Sequence, residues 1–253
     1  VIDRFIVSEL FLARVKLAQA DVEGAAAMVD QIEQAARQQN FTLRLPEIAS
    51  VQALVLLRQG RLSAAAQLTR QYELPLSQAR VLIAQDDPSA ALALLVAWRQ
   101  QMAARGWADE QLKTMVLEAI ALHAHGAKEQ ARQLFCTALA QAEPGGFIRL
   151  FVDEGEPMRL LLLDFRPWLE KHAHARVQPR CAYVDKLLTA CAQAKINHQP
   201  SALVEPLTQR ELEVLRLLGT DLDGPEIASQ LMVSLNTLRT HTKNIFAKLG
   251  VNN

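Results

Sequence analysis

The sequence predicts an all-α protein in which a solenoid of helical repeats is followed by a small helix-turn-helix domain. The first observation is compositional: half of the 253 residues are hydrophobic and only 5% are aromatic, which favours packed helices rich in Ala and Leu over a β-sandwich or barrel. The second is a three- and four-residue spacing of apolar side chains along most of the chain. The third is a change of pattern after residue 207, where short capped helices replace the repeats.

The charge balance limits the classes of function. The chain carries 27 basic and 27 acidic residues, so its formal net charge is zero. This balance argues against a protein that coats nucleic acid with its whole surface, and any DNA binding must come from a local patch. The three cysteines predict reduced thiols. Because there is neither an apolar run of membrane-spanning length nor a secretory signal, we predict a cytoplasmic protein without membrane contact. The chain begins without an initiator Met, which suggests a piece of a larger protein.

Helical periodicity runs from the first residues to about residue 143. The predicted helices there are Leu10–Ala20, Val22–Arg37, Glu47–Gln59, Ser63–Gln71, Gln78–Ala84, Ser89–Ala104, Asp109–His125 and Lys128–Gln141.

A weak internal repeat links these helices in pairs. The turn positions Ala20, Gly60, Asp86 and Gly126 align with one another and lie 40, 26 and 40 residues apart. Each follows one helix and precedes another that opens with Ala, as expected of an α-solenoid in which each hairpin is buried only by its neighbours. We interpret the region as tetratricopeptide-like, although the Trp, Tyr and late Pro of that signature are missing. An irregular helical bundle is the alternative.

The break at Glu143–Gly146 separates the repeats from two further predicted helices, Arg159–Leu163 and Pro179–Gln193. Residues 196–206 have little apolar periodicity and contain two prolines, which is typical of a linker. The predicted organisation is therefore a sensor or interaction domain at 1–195, a linker at 196–206 and a second domain at 207–253.

The second domain has the start and stop signals of three short helices. Thr208 and Glu211 have capping-box spacing, and Asp223 is placed to cap a second helix, Pro225–Leu231. Ser234 then caps a third helix that runs to about Leu249. Two helices joined by a turn of about three or four residues, with the small Ala228 at their crossing, predict a helix-turn-helix.

The third helix has two different faces when its residues are placed at about 100° intervals. The predicted core face holds Leu235, Leu238, Thr242, Ile245, Phe246 and Leu249, and the polar face holds Asn236, Arg239, Thr240, Lys243 and Asn244. From Ile227 to Asn253 there are three basic residues and no acidic ones, which is typical of a helix that enters a DNA groove. An ordinary solvated helix face is the alternative.

These residues resemble the LuxR-type DNA-binding domain. The resemblance covers nearly all of residues 207–253 and runs through Leu207–Leu215, Glu226–Ala228, Ser234–His241 and Asn244–Val251. It implies binding to double-stranded DNA, with base contacts in the major groove from Arg239, Thr240 and Lys243. It also implies phosphate contacts from Thr237, His241, Asn244 and Lys248, and a homodimer on DNA in the intact protein. Asp221 and the Gly224-Pro225 pair depart from the family pattern and suggest an altered turn, and the family's fourth helix is missing after Asn253.

The upstream region also resembles a known group, the regulators related to the bacterial maltose-regulon activator. The resemblance rests on the helical repeats followed by the segment Gly146–Gly155. It implies a helical-repeat domain that senses an effector, preceded in the intact protein by an ATPase domain. No GxxxxGK[ST] loop occurs in this chain, so no nucleotide or other cofactor is predicted.

The remaining candidate sites do not predict catalysis. His123 and His125 are two residues apart and so lie on different faces of a helix, unlike the spacing of a helical zinc site. No metal site, catalytic residue or nucleophile motif is predicted, and we expect the protein not to be an enzyme. The preferred function is a sequence-specific transcriptional regulator. A protein–protein scaffold with little DNA affinity and an enzyme with its site in the repeat groove are the alternatives.

Overall fold

The computed structural model describes residues 2–171, 178–196, 208–220 and 222–249, and all elements in these ranges are helical. The prediction of an all-α fold is therefore confirmed. The helices of the repeat region are α1 (Ile2–Ala18), α2 (Val22–Gln38), α3 (Leu45–Arg58), α4 (Leu62–Gln71), α5 (Pro75–Ala84), α6 (Pro88–Arg105), α7 (Ala108–Ala124), α8 (Lys128–Ala142), α9 (Arg149–Val152), α10 (Glu156–Lys171) and α11 (Gln178–Ile196). They are followed by α12 (Gln209–Leu218), α13 (Gly224–Gln230) and α14 (Leu235–Leu249), and short 3₁₀ turns occupy Thr42–Arg44 and Glu143–Gly145.

Two helix predictions were wrong in extent, and one helix was not predicted. Helix α1 begins at Ile2 instead of Leu10, and the four-residue α9 was not predicted. Helix α10 spans Glu156–Lys171, far beyond the predicted Arg159–Leu163, and contains Pro167. Burial of Phe165 and Leu169 on one face outweighs the proline penalty. The carbonyl that Pro167 leaves without its helical donor belongs to Leu163, a residue that is 46% exposed.

A single left-handed residue reverses the chain after each of the first eight helices. The four aligned turn positions, Ala20, Gly60, Asp86 and Gly126, have φ of 63°, 72°, 60° and 87°. Their equivalence is thus confirmed by backbone conformation, although two of them are not glycine. The same conformation occurs at Asn40, Glu73, Gly106 and Gly146.

These turns share one hydrogen-bond pattern. The amide after the left-handed residue donates to a carbonyl five residues back, as Asp21 N does to Lys16 O and Asp87 N to Leu82 O, both at 2.9 Å. This 6→1 bond is the mark of a Schellman motif, which ends a helix and satisfies its last carbonyls. The chain can therefore begin the next helix within a few residues.

The turns are alike in every repeat, so the irregular period comes from differences in helix length. From Ala20 to Gly146 the left-handed residues lie 20, 20, 13, 13, 20, 20 and 20 residues apart. The two short intervals contain α4 and α5, which have 10 residues each, whereas α2 and α7 have 17. The spacing of 40, 26 and 40 residues thus reflects one hairpin with shortened helices.

Clustering of contacts divides the chain into two compact units. One unit comprises residues 56–196, and the other combines residues 1–55 with residues 197–253. The core of the first includes three fully buried rings, Phe135, Phe151 and Phe165. Phe135 meets the other two edge to face, with centroid distances of 5.9 and 5.0 Å.

In the same unit, the acidic end of the Gly146–Gly155 segment is bound by two arginines. Arg80 forms a bidentate pair with Glu154, at 2.8 and 2.7 Å, and Arg58 donates to the carbonyl of Asp153 at 3.0 Å. The Glu154 side chain is 8% exposed, so its charge depends on Arg80 for compensation. The turn between α9 and α10 is therefore held in place by arginines from α3 and α5.

A substitution at Gly126 tests the turn motif. A Cβ at this position meets nothing within 4 Å, so only the left-handed backbone opposes a side chain. We expect Gly126→Val to lower the free energy of unfolding by about 1–2 kcal/mol in urea titrations of the chain. Gly126→Asn is the matched control and should lose less, because Asn tolerates this conformation. Equal stability of wild type and the Val variant would contradict the motif.

Candidate nucleic-acid interface

Capping fixes the start of the first helix of the C-terminal module. The Glu211 amide donates to Thr208 Oγ1 at 3.2 Å, and the Thr208 amide donates to Glu211 Oε2 at 2.7 Å. The predicted capping box is confirmed. Glu211 is buried, and its carboxylate is satisfied by the backbone it caps.

The second helix also begins with a capping box. One of the two hydrogen bonds of this box was not predicted from the sequence. Asp223 Oδ1 accepts from the Glu226 amide at 2.9 Å, as its predicted N-cap role requires. In return, the Asp223 amide donates to Glu226 Oε2 at 2.8 Å. The D-x-x-E spacing was the available signal, as it matches that of Thr208 and Glu211. With Pro225 in the first turn, α13 has a fixed start although it is only seven residues long.

The turn between α13 and α14 uses the same motif as the repeats. Met232 is left-handed, with φ of 52°, and the Val233 amide donates to the Ala228 carbonyl at 2.9 Å. Arg210 also bonds to the Leu231 carbonyl and pairs with Glu213, so α12 is tied to the end of α13. Sequence reasoning identified neither role. For the left-handed conformation of Met232, the only signal was its position just past an apolar helix. For the contacts of Arg210, the sequence contained no signal.

The module has a small core of its own. Val214, Ile227, Ala228, Leu231, Leu238 and Ile245 are buried together, with Val15 of α1 in the same cluster. Ala228 is buried as predicted for the small residue at a helix crossing. This core sets the angle between α13 and α14, and so determines which face of α14 points outward.

The structure places most predicted contact residues on one exposed helix. Ser234 caps α14 by accepting from the Thr237 amide at 3.1 Å. The side chains of Arg239, Thr240 and Lys243, predicted to contact bases, are all exposed. Of the predicted phosphate contacts, Thr237 and Asn244 are exposed and His241 is half-buried. The side chain of Lys248 lies outside the described residues.

On the polar face of α14, the threonine hydroxyls form intramolecular hydrogen bonds, and the two basic side chains form none with the residues that the structure describes. The Thr240 hydroxyl donates to the Asn236 carbonyl at 2.9 Å, and the Thr237 hydroxyl lies 2.8 Å from Ser234 Oγ. While its bond persists, the Thr240 hydroxyl can contact DNA mainly through its oxygen lone pairs. In the Ser234–Thr237 pair, either hydroxyl can be the donor. Arg239 and Lys243 have no intramolecular partner within the described residues, so their donors remain available for a ligand.

The predicted core face was partly wrong. Leu238 and Ile245 are buried and Thr242 is half-buried, but Leu235 is 42% exposed. Leu235 is the first residue of α14, and it is not part of the buried cluster that contains Leu238. The side chains of Phe246 and Leu249, and all of Asp221, lie outside the described residues. The Gly224-Pro225 pair opens α13 directly after its cap.

The other candidate site residues in the described part of the chain are histidines and cysteines. Among these residues, no group of His, Cys, Asp and Glu side chains could hold a metal ion. Burial lowers the pKa of His123, whose Nε2 lies 4.0 Å from Asp164 Oδ2. Burial also raises the pKa of the Cys191 thiol to about 11, so this cysteine is a poor nucleophile. None of the described helices is long and apolar enough to span a membrane.

Comparison with known proteins assigns both parts of the chain. The profile of the MalT-like TPR region matches residues 1–166, and that of the bacterial regulatory proteins of the luxR family matches residues 205–253. The chain belongs to the MalT-like family of LuxR-type regulators. The tetratricopeptide-like interpretation and the helix-turn-helix assignment are therefore confirmed.

Individual relatives match half of the chain. It is 34% identical over 142 residues to the HTH-type transcriptional regulator MalT of Klebsiella pneumoniae subsp. pneumoniae, and 35% identical over 144 residues to that of Serratia proteamaculans. These matches cover 50% and 49% of this chain and 15% of each relative's length. No solved structure matches the chain.

The left-handed Met232 gives a test of the turn that presents α14. Its side chain is 93% exposed, so replacing it removes little packing. We expect Met232→Gly to raise the stability of the module by up to about 1 kcal/mol, since Gly adopts this backbone without strain. Amide hydrogen exchange of α13 and α14 would measure the change. Met232→Ala keeps the strain and should give no gain, and a gain from Ala equal to that from Gly would contradict this account.

Proposed function

We propose that the chain is part of a sequence-specific DNA-binding transcriptional regulator in which α14 reads the major groove. The observation that carries the proposal is the pair Arg239 and Lys243, one helical turn apart on the exposed face of a capped helix-turn-helix. Arg239 can donate two bonds to a guanine edge, and Lys243 can donate to a guanine or a phosphate. The relatives, named as transcriptional regulators, support a role other than catalysis.

Thr240 completes the proposed base contacts, and phosphates position the helix. We assign phosphate contacts to Thr237, His241, Asn244 and Lys248. Thr237 and Asn244 lie on the exposed side of α14, where backbone contacts can flank a groove-bound face. Neutral net charge gives little long-range attraction to DNA, so affinity depends on these local contacts.

The proposed organisation has a sensor or interaction domain at 1–195, a linker at 196–206 and the DNA-binding domain at 207–253. The sensor domain binds a small-molecule or protein effector and thereby alters how the DNA-binding domains are presented. In the intact protein these domains pair as a homodimer on DNA, because a single module contacts only one half-site. The proposed location is the cytoplasm, where a bacterial regulator meets its DNA.

Two substitutions distinguish base reading from phosphate contact. Duplexes enriched from a random-sequence library by the wild-type chain serve as the probe. Arg239→Ala should cost about 1–3 kcal/mol at one base pair and relax its sequence preference. Lys248→Ala should weaken binding to all sequences alike and reduce the salt slope by about one. Lys186→Ala, an exposed lysine of α11, is the matched control and should change neither.

Failure to enrich any sequence, or enrichment that both variants retain unchanged, would contradict the placement of α14 in the groove. The first result would favour a protein–protein scaffold.

Effector sensing can be tested separately by a thermal-shift screen of small metabolites. At about 100 times its Kd, a ligand adds about 2.7 kcal/mol of stability, which corresponds to a rise in Tm of several degrees. The same rise should occur in Arg239→Ala, because the effector binds the repeats. A rise that disappears in this variant would assign the ligand to the DNA-binding domain and contradict the proposal.

A further inference from the structure

Helix α1 is buried on more than one side. Placed at about 100° intervals from Arg4, Ile6, Leu10 and Ala13 fall about 180° to 240° away, and all three are buried. Ser8 and Val15 fall within about 40° of Arg4 and Leu12 at about 80°, and of these Val15 and Leu12 are buried. A helix with apolar residues on two sides packs against two neighbours. One neighbour of α1 is α2, the next helix of the repeats.

The second neighbour is α12 of the helix-turn-helix module. Val15, 8% exposed, belongs to the core cluster of the module, with Val214, Ile227 and Leu238. The Arg4 guanidinium donates to the Thr220 carbonyl at 3.3 Å. Both contacts lie within the compact unit that combines residues 1–55 with residues 197–253.

Gly219 marks the closest approach of the two elements. A Cβ at Gly219 would lie 2.5 Å from Ser8 Cβ and 2.9 Å from Ser8 Oγ. The backbone of Gly219, with φ of −83° and ψ of 1°, is one that other residues adopt readily. The lack of a side chain here therefore serves the contact with α1 and not the turn itself.

We propose that the second face of α1 is a docking surface for the helix-turn-helix module of the same chain. The proposal concerns how the DNA-binding site is held, and it rests on the proposed function only for its consequence on DNA. Docking does not cover the polar face of α14, because Arg239, Thr240 and Lys243 are exposed while the contacts with α1 are made. The docking contacts therefore leave these three side chains accessible.

This arrangement makes α1 the connection between repeats and DNA-binding module. The helix is packed on α2 through one face and on α12 through the other, so a shift of α1 on α2 moves the module with it. Such a helix transmits a change in the repeats without any residue of the DNA-reading face being touched.

The experiment follows the accessibility of position 15. In a Val15→Cys background, alkylation of the introduced thiol by iodoacetamide is measured by peptide mass spectrometry, with the native, partly exposed Cys181 as an internal reference. We expect slow labelling when the module is docked. Adding Gly219→Ala should speed labelling at position 15 at least tenfold, because the new Cβ meets Ser8. The rate at Cys181 should not change.

Two variants of Ser8 show whether this effect comes from the contact. Ser8→Gly combined with Gly219→Ala removes both clashing atoms and should restore slow labelling. Ser8→Ala combined with Gly219→Ala keeps the Cβ that clashes and should not. Fast labelling of the introduced thiol without any Gly219 substitution, or rates unaffected by Gly219→Ala, would overturn the docking surface.

DNA binding gives an independent measurement on the same variants. Gly219→Ala should alter the affinity for a selected duplex less than twofold, whereas Arg239→Ala should reduce it at least tenfold. A tenfold loss with Gly219→Ala would overturn the claim that docking leaves the DNA-reading face free. If wild type binds no duplex, the proposed function fails, but the labelling series still decides whether the module docks on α1.

Discussion

The repeats depend on one constraint: each of their first eight helices is terminated by a turn that contains one left-handed residue. A Schellman turn satisfies the last carbonyls of a helix and reverses the chain within about three residues, so consecutive helices must pack against each other. The conformation is inexpensive for Gly60 and Gly126 but costs about 1 kcal/mol or more for Ala20 and Asp86. These non-glycine turns persist because the helices they join bury apolar faces that stabilise the fold by more than the backbone strain costs.

The DNA-binding module applies the same principle on a smaller scale. With a core of a few aliphatic residues, it has little hydrophobic stabilisation, and its geometry depends on defined helix ends. Two capping boxes fix where α12 and α13 begin, and the left-handed Met232 fixes where α13 stops. Each cap contributes on the order of 1 kcal/mol, which is a large share of the stability of so small a domain. The direction of α14, and with it the outward position of Arg239, follows from these ends.

Buried ion pairs add specificity within the repeat region. Glu154 and Glu118 are both largely buried and each faces one arginine, Arg80 and Arg99 respectively. Such pairs contribute little net stability, because removing two charges from water offsets their attraction. Their effect is to penalise other arrangements, since a helix in the wrong place would leave a buried carboxylate without its partner. The acidic turn between α9 and α10 is thereby restricted to one position against α3 and α5.

The sequence by itself determined the all-α class, the aligned turns and the capped helix-turn-helix, because these depend on local signals. Apolar spacing, N-cap residues such as Thr208 and Asp223, and turn positions such as Gly126 act over short stretches of the chain. Only the tertiary structure decided the length of α10, where buried Phe165 overrides Pro167, and the exposure of Leu235 at the end of a small core. It also decided the partners of Glu154 and of Val15. Glu154 meets an arginine 74 positions away, and Val15 meets a core at the other end of the chain. No periodicity within one helix specifies which distant surface its second apolar stripe will meet.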